Sequence, residues 1–168
     1  MLNRPALLVG VSLVLLASLA CTPTPRVPSA TTLPQESLVT LSGERMELSS
    51  VVRGRVALLS FWATWCDSCT REIDSLNRLA ARTAARRDAL VVGVAVGEPH
   101  AAVGTFVREH GVRYAQLVDE DFRFADALGQ RNVPATLVID RDGRVVYRGD
   151  GLDSSGLEAF RTTLDRAR

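Results

Sequence analysis

Phe61-Trp62-Ala63-Thr64-Trp65-Cys66-Asp67-Ser68-Cys69 sets a Cys-x-x-Cys pair where an apolar run gives way to a helical pattern. Upstream, Arg55 to Phe61 reads as a buried strand. Downstream, Ile73, Leu76, Leu79/Ala80 and Thr83/Ala84 recur at helical spacing. Cys66 therefore falls in or just before the first helical turn. There, unpaired backbone N–H groups and the positive end of the helix dipole stabilise a thiolate, the reactive form of cysteine. Cys69, three residues on, lies on the same helix face, close enough to Cys66 for a disulfide to close.

Two other uses of the pair are weaker. Zinc needs about four ligands, and only His100, His110 and Cys21 remain to complete a site. Free cysteines also serve as small core residues, but the flanking Trp65, Asp67 and Ser68 do not suit a core. Dithiol redox chemistry is the reading that fits.

Working outward, Leu38–Leu41 and Arg45–Leu48 flank Ser42-Gly43-Glu44 and read as a short hairpin. Ala89–Val96 is a continuous apolar run, typical of a strand buried on both faces. Pro99–His110 reads as a helix turning Ala102, Val103, Phe106 and Val107 inward and ending at Gly111. Tyr114–Val118 is a further strand, and Asp121–Leu128 a short helix stopped by Gly129. Ala135–Ile139 and Val145–Tyr147 flank Asp140-Arg141-Asp142-Gly143, a strong hairpin signal. Asp153 or Ser154 can cap a last helix carrying Leu157, Phe160 and Leu164. The alternation predicts an α/β fold with a largely parallel centre. No repeat or second domain is visible, and 168 residues with 46% hydrophobic content suit one domain; a monomer is expected.

The Phe-Trp-Ala-Thr-Trp-Cys-x-x-Cys stretch, then Arg71-Glu72, Val133-Pro134-Ala135-Thr136 and Ile139-Asp140-Arg141-Asp142-Gly143, resembles thioredoxin-like proteins of the TlpA/ResA/CcmG type. The resemblance runs from about Leu38 to the C-terminus. It implies a thioredoxin-like fold, a central mixed sheet flanked by helices, with an extra N-terminal hairpin and a strand-helix insertion within Ala89–Leu117. It also implies an extracytoplasmic, membrane-tethered thiol-disulfide oxidoreductase acting on protein thiols and disulfides. Such a protein is recharged by a membrane thiol-reducing partner and uses the Cys66–Cys69 disulfide in place of a bound cofactor or metal.

Several site residues follow from that resemblance. The family's matching proline implies a cis Val133–Pro134 bond beside the disulfide, which leaves the Val133 backbone to pair with a substrate strand. Trp65, Val133 and Pro134 are thus the candidates for substrate contact. Glu72 matches a glutamate kept near the active site and is the candidate proton relay for Cys69, once burial raises its pKa. Ser60 stands where thioredoxins carry a buried aspartate, so Glu72 is the nearby base. Asp74 stands where relatives carry a helix-kinking proline, which predicts a straighter redox helix, and Asp74 with Arg78 reads as a surface ion pair. Asp67 disfavours the Cys66 thiolate and so favours an electron donor.

Rival activities leave different marks. A thiol peroxidase needs Thr or Ser three residues before its reactive cysteine, where this chain has Ala63. A copper carrier would use the dithiol as a soft ligand pair.

The N-terminus adds location. After Arg4, an apolar run from Ala6 to Ala20 ends in Ser18-Leu19-Ala20-Cys21, which reads as a secretion signal. The run is shorter than the roughly 18 residues of a spanning helix, and a cysteine after a small residue resembles a bacterial lipobox. Residues 1–21 are thus expected to be a signal peptide with Cys21 lipidated. Residues 22–37, rich in Pro and Thr, are expected to be a spacer, and 38–168 the folded domain. An exported protein meets an oxidising compartment, where a dithiol persists only if something reduces it. The charges are interspersed and sum to +1, which argues against nucleic-acid binding.

Overall fold

In the computed structural model, residues 32–166 are described. The signal segment, Cys21 and the first part of the expected spacer lie outside them. The seven strands are β1 Ser37–Thr40, β2 Arg45–Glu47, β3 Val56–Trp62, β4 Ala89–Val96, β5 Ala115–Asp119, β6 Ala135–Ile139 and β7 Val145–Gly149. They form one sheet in the order β2-β1-β5-β4-β3-β6-β7.

Every residue of β3 is buried, as its composition, apolar except for Ser60, suits a strand covered on both faces. It pairs in parallel with β4 from Val56↔Ala89 to Trp62↔Ala95, and β4 pairs in parallel with β5. The remaining pairings are antiparallel, β3 with β6, β6 with β7, and the β1–β2 hairpin against β5 through β1. This is the expected mixed sheet with its N-terminal hairpin.

The period-2 alternation of β3 divides the core. Ala57, Leu59 and Phe61 face Phe124, Leu128, Leu48 and Val52, which come from α5 (Arg123–Ala127), its C-terminal end and α1 (Leu48–Val52). Phe61 and Phe124 stack with ring centroids 6.2 Å apart. Val56 and Leu58 face Leu76 of α3 (Ile73–Thr83) and Phe160 and Leu164 of α6 (Ser154–Arg166). Each such large apolar side chain, fully buried, contributes roughly 1.5–3 kcal/mol.

A third cluster caps the C-terminal end of the parallel strands, where Trp62 and Ala95 meet Val103 of α4 (His100–Glu109). Trp62 is buried, and its indole N–H donates to Gln116 Oε1 at 2.9 Å. Gln116 reaches that position because β4 carries Gly93 opposite it: a Cβ there would collide with the Gln116 amide.

The structure departs from the sequence reading in five places. The redox helix is interrupted: α2 (Asp67–Thr70) and α3 are separated by a turn at Arg71–Glu72, where the Glu72 N–H bonds Cys69 O, three residues back, at 3.0 Å. Both residues keep right-handed helical dihedrals, so the interruption lies in the hydrogen-bond ladder. No Asp74–Arg78 ion pair forms, and Arg78 Nη2 instead donates to Ser75 Oγ at 2.9 Å. Leu157 and Ala102 lie exposed on their helices because Phe160 and Val103 already fill the facing core. The α1 turn carries no helical period long enough to read. Packing also starts upstream of residue 38, within the expected spacer. Thr32 bridges to Arg144, the Leu33 N–H donates to Gly143 O at 3.0 Å, and the Leu33 side chain joins the main core.

Leu33→Ala should therefore destabilise the fold by about 2 kcal/mol, the low end for a buried leucine. A spacer residue would cost no more than about 0.5 kcal/mol. Urea unfolding of the two proteins distinguishes these outcomes.

Candidate active site

The β3 strand delivers the chain to the active-site loop, which turns so that the Cys66 N–H donates to Ala63 O at 3.1 Å. Cys66 is extended (φ −95°, ψ 95°) and forms the N-cap of α2, its Sγ accepting the Cys69 N–H at 3.2 Å. The two sulfurs form a disulfide, with Cα atoms 5.3 Å apart. Both cysteines are buried, while the adjacent Trp65 is 66% exposed. Ser68 Oγ lies 3.4 Å from Cys66 Sγ, so a hydroxyl donor stands beside the sulfur that becomes a thiolate on reduction. Asp67 is exposed, so its charge is screened by solvent.

The loop is held from the neighbouring strand by a residue the sequence reading missed. Beyond β4, Glu98 accepts the Thr64 N–H at 2.7 Å and also the Thr64 hydroxyl. The available signal was topological. Because β3 and β4 run parallel, the loops leaving their C-terminal ends lie side by side, and the carboxyl ends of parallel strands are where α/β sheets build their sites.

On the other flank, the Val133–Pro134 peptide is cis. Val133 packs against the cluster that holds both cysteines, and its backbone lies outside the β3–β6 ladder, which begins at Phe61↔Ala135. Pro134 meets Glu72 at Gly151: a Cβ on Gly151 would sit 2.5 Å from Glu72 Oε1 and 3.3 Å from Pro134 Cγ. Gly151 is also left-handed (φ +82°), so glycine is required there twice over. Glu72 Oε1 accepts the Leu152 N–H at 3.0 Å. Burial pushes the Glu72 carboxyl above its ordinary pKa, against smaller opposing effects from the Leu152 N–H and Arg71. The structure thus brings Glu72 and Pro134 together around one glycine, one turn beyond Cys69.

Between Trp65 and Val133 opens a cleft of about 290 Å³, lined also by Phe61, Val96, Phe122 and Arg131. Phe122 is left-handed (φ +60°, ψ 9°) and 45% exposed. A bulky residue held there costs about 1–3 kcal/mol and persists only where its surroundings fix it. They do. Asp119, buried at the end of β5, caps α5 by accepting the N–H groups of Phe124 (3.2 Å) and Ala125 (2.8 Å). The Asp119 carbonyl takes the Gly97 N–H at 2.9 Å. Gly97 in turn leaves room for the Phe122 ring, with which any Cβ would collide.

Among the described residues, no cluster of three or more His, Cys, Asp or Glu side chains is placed to hold a metal ion. No described helix is long and apolar enough to cross a membrane.

Comparison with known proteins agrees with this geometry. The thiol-disulfide oxidoreductase ResA of Bacillus subtilis is 32% identical over 105 residues, which are 62% of this chain and 58% of that protein. The chain therefore spans under two thirds of that relative's length. The structure of MTB dsbF in its mixed oxidized and reduced forms is 29% identical, covering 82% of this chain and 98% of that one with a TM-score of 0.67. A thioredoxin family thiol:disulfide interchange protein from Chlorobium tepidum, 24% identical, matches with a TM-score of 0.66 over 81% of this chain and 97% of its own, which establishes the fold. The family model described as AhpC/TSA matches residues 29–148, well over half of the 168. This chain is a member of the AhpC/TSA family with a thioredoxin-like fold.

Proposed function

We propose that the protein is an extracytoplasmic thiol-disulfide oxidoreductase that reduces disulfides in other proteins. The observation that carries this reading is Cys66 at the N-cap of α2, joined to Cys69. In the reduced enzyme the Cys66 thiolate attacks a substrate disulfide, forms a mixed disulfide and expels the first substrate thiolate. Glu72 takes the proton from Cys69. The Cys69 thiolate attacks Cys66 Sγ and expels the second substrate thiolate. Two electrons have then passed to the substrate, and the Cys66–Cys69 disulfide is restored. Val133 offers its backbone to the bound segment, with Trp65 and Pro134 beside it.

The redox pair is the protein's own, with no bound cofactor or metal in the cycle. The N-terminal sequence supports export and lipidation at Cys21, tethering a monomer to a bacterial membrane where a membrane thiol-reducing partner recharges it. Its substrates would be oxidised proteins, for example apocytochromes or oxidase subunits. Ala63, three residues before Cys66, argues against a thiol peroxidase.

Cys69→Ala should accumulate substrate adducts on Cys66, because the mixed disulfide then lacks its internal attacker, and Cys66→Ala should accumulate almost none. Equal adducts from both variants on non-reducing gels would reverse the assigned roles.

The Glu72 carboxyl has a pH signature of its own. Its folded pKa lies above the ordinary 4.5, so between those two values the native state holds more protons than the unfolded one. Stability therefore falls as pH rises through that window, and the full cost applies above it. Glu72→Gln should remove this dependence and slow the Cys69 step at neutral pH. Thermal unfolding at pH 4 and pH 7, wild type against variant, checks the first effect; a parallel pH trend in both proteins would contradict it.

Glu98 places a carboxylate against the loop two residues before Cys66 and disfavours a thiolate there. With Asp67 acting in the same sense, the potential should lie below about −200 mV, more reducing than the roughly −180 mV of a disulfide isomerase. Glu98→Gln should lower the Cys66 thiol pKa and raise the potential, as read by thiolate absorbance and glutathione equilibration. No shift in either would leave Glu98 as a purely mechanical clamp.

A further inference from the structure

The cleft between Trp65 and Phe122 has no part in the thiol chemistry, yet it is a constructed feature. Its mouth holds two of the four most exposed large hydrophobic side chains among the described residues. One of them, Phe122, is kept in a left-handed backbone conformation that Gly97 and the Asp119 cap enforce from two other strand ends. A ring needed only for the core would be buried, and Phe124, two residues on, already fills that role. The floor is apolar, formed by Phe61, Val96 and Val133. Arg131 is the single charged side chain in the lining, and it takes part in no ion pair among the described residues.

Size limits the occupant. At about 290 Å³ the cleft falls at the lower bound of small-molecule sites, which run from roughly 300 to 1,000 Å³. It suits one large side chain. Position identifies the owner of that side chain: Trp65 precedes the attacking Cys66, and Val133 offers the backbone edge along which a substrate strand would run. Successive residues of such a strand are about 3.3 Å apart and point to opposite sides, so a residue flanking the disulfide cysteine is delivered to this cleft.

We propose that the Trp65–Phe122–Val133 cleft is a specificity subsite for a large apolar or aromatic side chain flanking the target cysteine of a substrate polypeptide, with Arg131 reading an acidic residue next to it. Phe122 and Arg131 are then specificity residues outside the redox pair. This rests on the oxidoreductase reading and extends it from protein disulfides in general to disulfides in an aromatic and acidic sequence context.

The test uses the reduced protein and short peptides, each with one cysteine carried as a mixed disulfide with 5-thio-2-nitrobenzoate. Cys66 attacks the peptide sulfur and releases the coloured thiolate. Cys69 then closes on Cys66 and frees the peptide thiol, so two electrons pass and the reaction can be followed by absorbance. Peptides with Phe beside cysteine should show kcat/KM about tenfold above those with Gly, the usual discrimination of one apolar pocket. Adding Asp should raise the rate further, and adding Lys should lower it. Phe122→Asn, which suits the left-handed backbone, should reduce the Phe-to-Gly ratio toward one without loss of thermal stability. Arg131→Glu should invert the preference between Asp and Lys.

The symmetrical nitrobenzoate disulfide, which carries no peptide, separates the two claims. Failure of the reduced protein to react with it would defeat the oxidoreductase reading itself. Normal reaction with it, combined with equal rates on Phe and Gly peptides, would overturn the subsite alone. The subsite would also be overturned if sedimentation showed the cleft covered by a second copy of the chain and the Phe122→Asn variant monomeric.

Discussion

Parallel pairing of β3 with β4 over seven residues is the constraint from which the site follows. Two buried strands running the same way must end side by side, and β5 joins them in the same direction. The three chain segments leaving this edge carry Cys66, Glu98 and Asp119, residues far apart in sequence. None of them could hold its position without the other two strands. Packing energy spent on the sheet interior is thereby converted into placement at its rim, and the rim itself needs little further apolar burial.

The rim is rich in carboxylates used in different ways. Asp67 faces solvent and acts weakly through screening. Glu98 serves as an acceptor that ties down a loop. Asp119 is buried and anchors a helix terminus. Glu72 is half-buried against Pro134 and Gly151 one turn beyond Cys69, and burial raises its proton affinity, as it also does for Asp119. Environment, more than residue type, separates these tasks.

The central strands and the redox pair could be read from the chain because their signals are local. Ala89–Val96 is unbroken and apolar, and Cys-x-x-Cys needs no distant partner. The β6–β7 hairpin was legible for the same reason, through its Asp-Gly turn. What escaped was set by tertiary contact. Glu98 looks like any loop glutamate until β4 is laid beside β3. Phe122 looks like one more apolar residue of a short helix, and its left-handed backbone stays hidden because Gly97, which makes room for its ring, lies at the end of β4 and the capping role of Asp119 shows only once α5 is folded. Leu33 was hidden within a Pro/Thr-rich composition, although a single leucine can dock when a turn offers it a backbone partner. The break at Arg71–Glu72 was missed because it needs no proline.

The docking of Thr32 and Leu33 also gives the molecule a direction. Their partners, Arg144 and Gly143, belong to the β6–β7 turn, and that turn meets the start of β3, where the Gly54 N–H donates to Arg141 O at 3.3 Å. Cys66 lies past the other end of β3, about 23 Å away at the usual strand rise of 3.3 Å per residue. The polypeptide preceding Thr32 thus joins the domain at the pole opposite the disulfide. A surface or fused partner that held the domain at Thr32 would therefore grip it at the pole away from the reactive face.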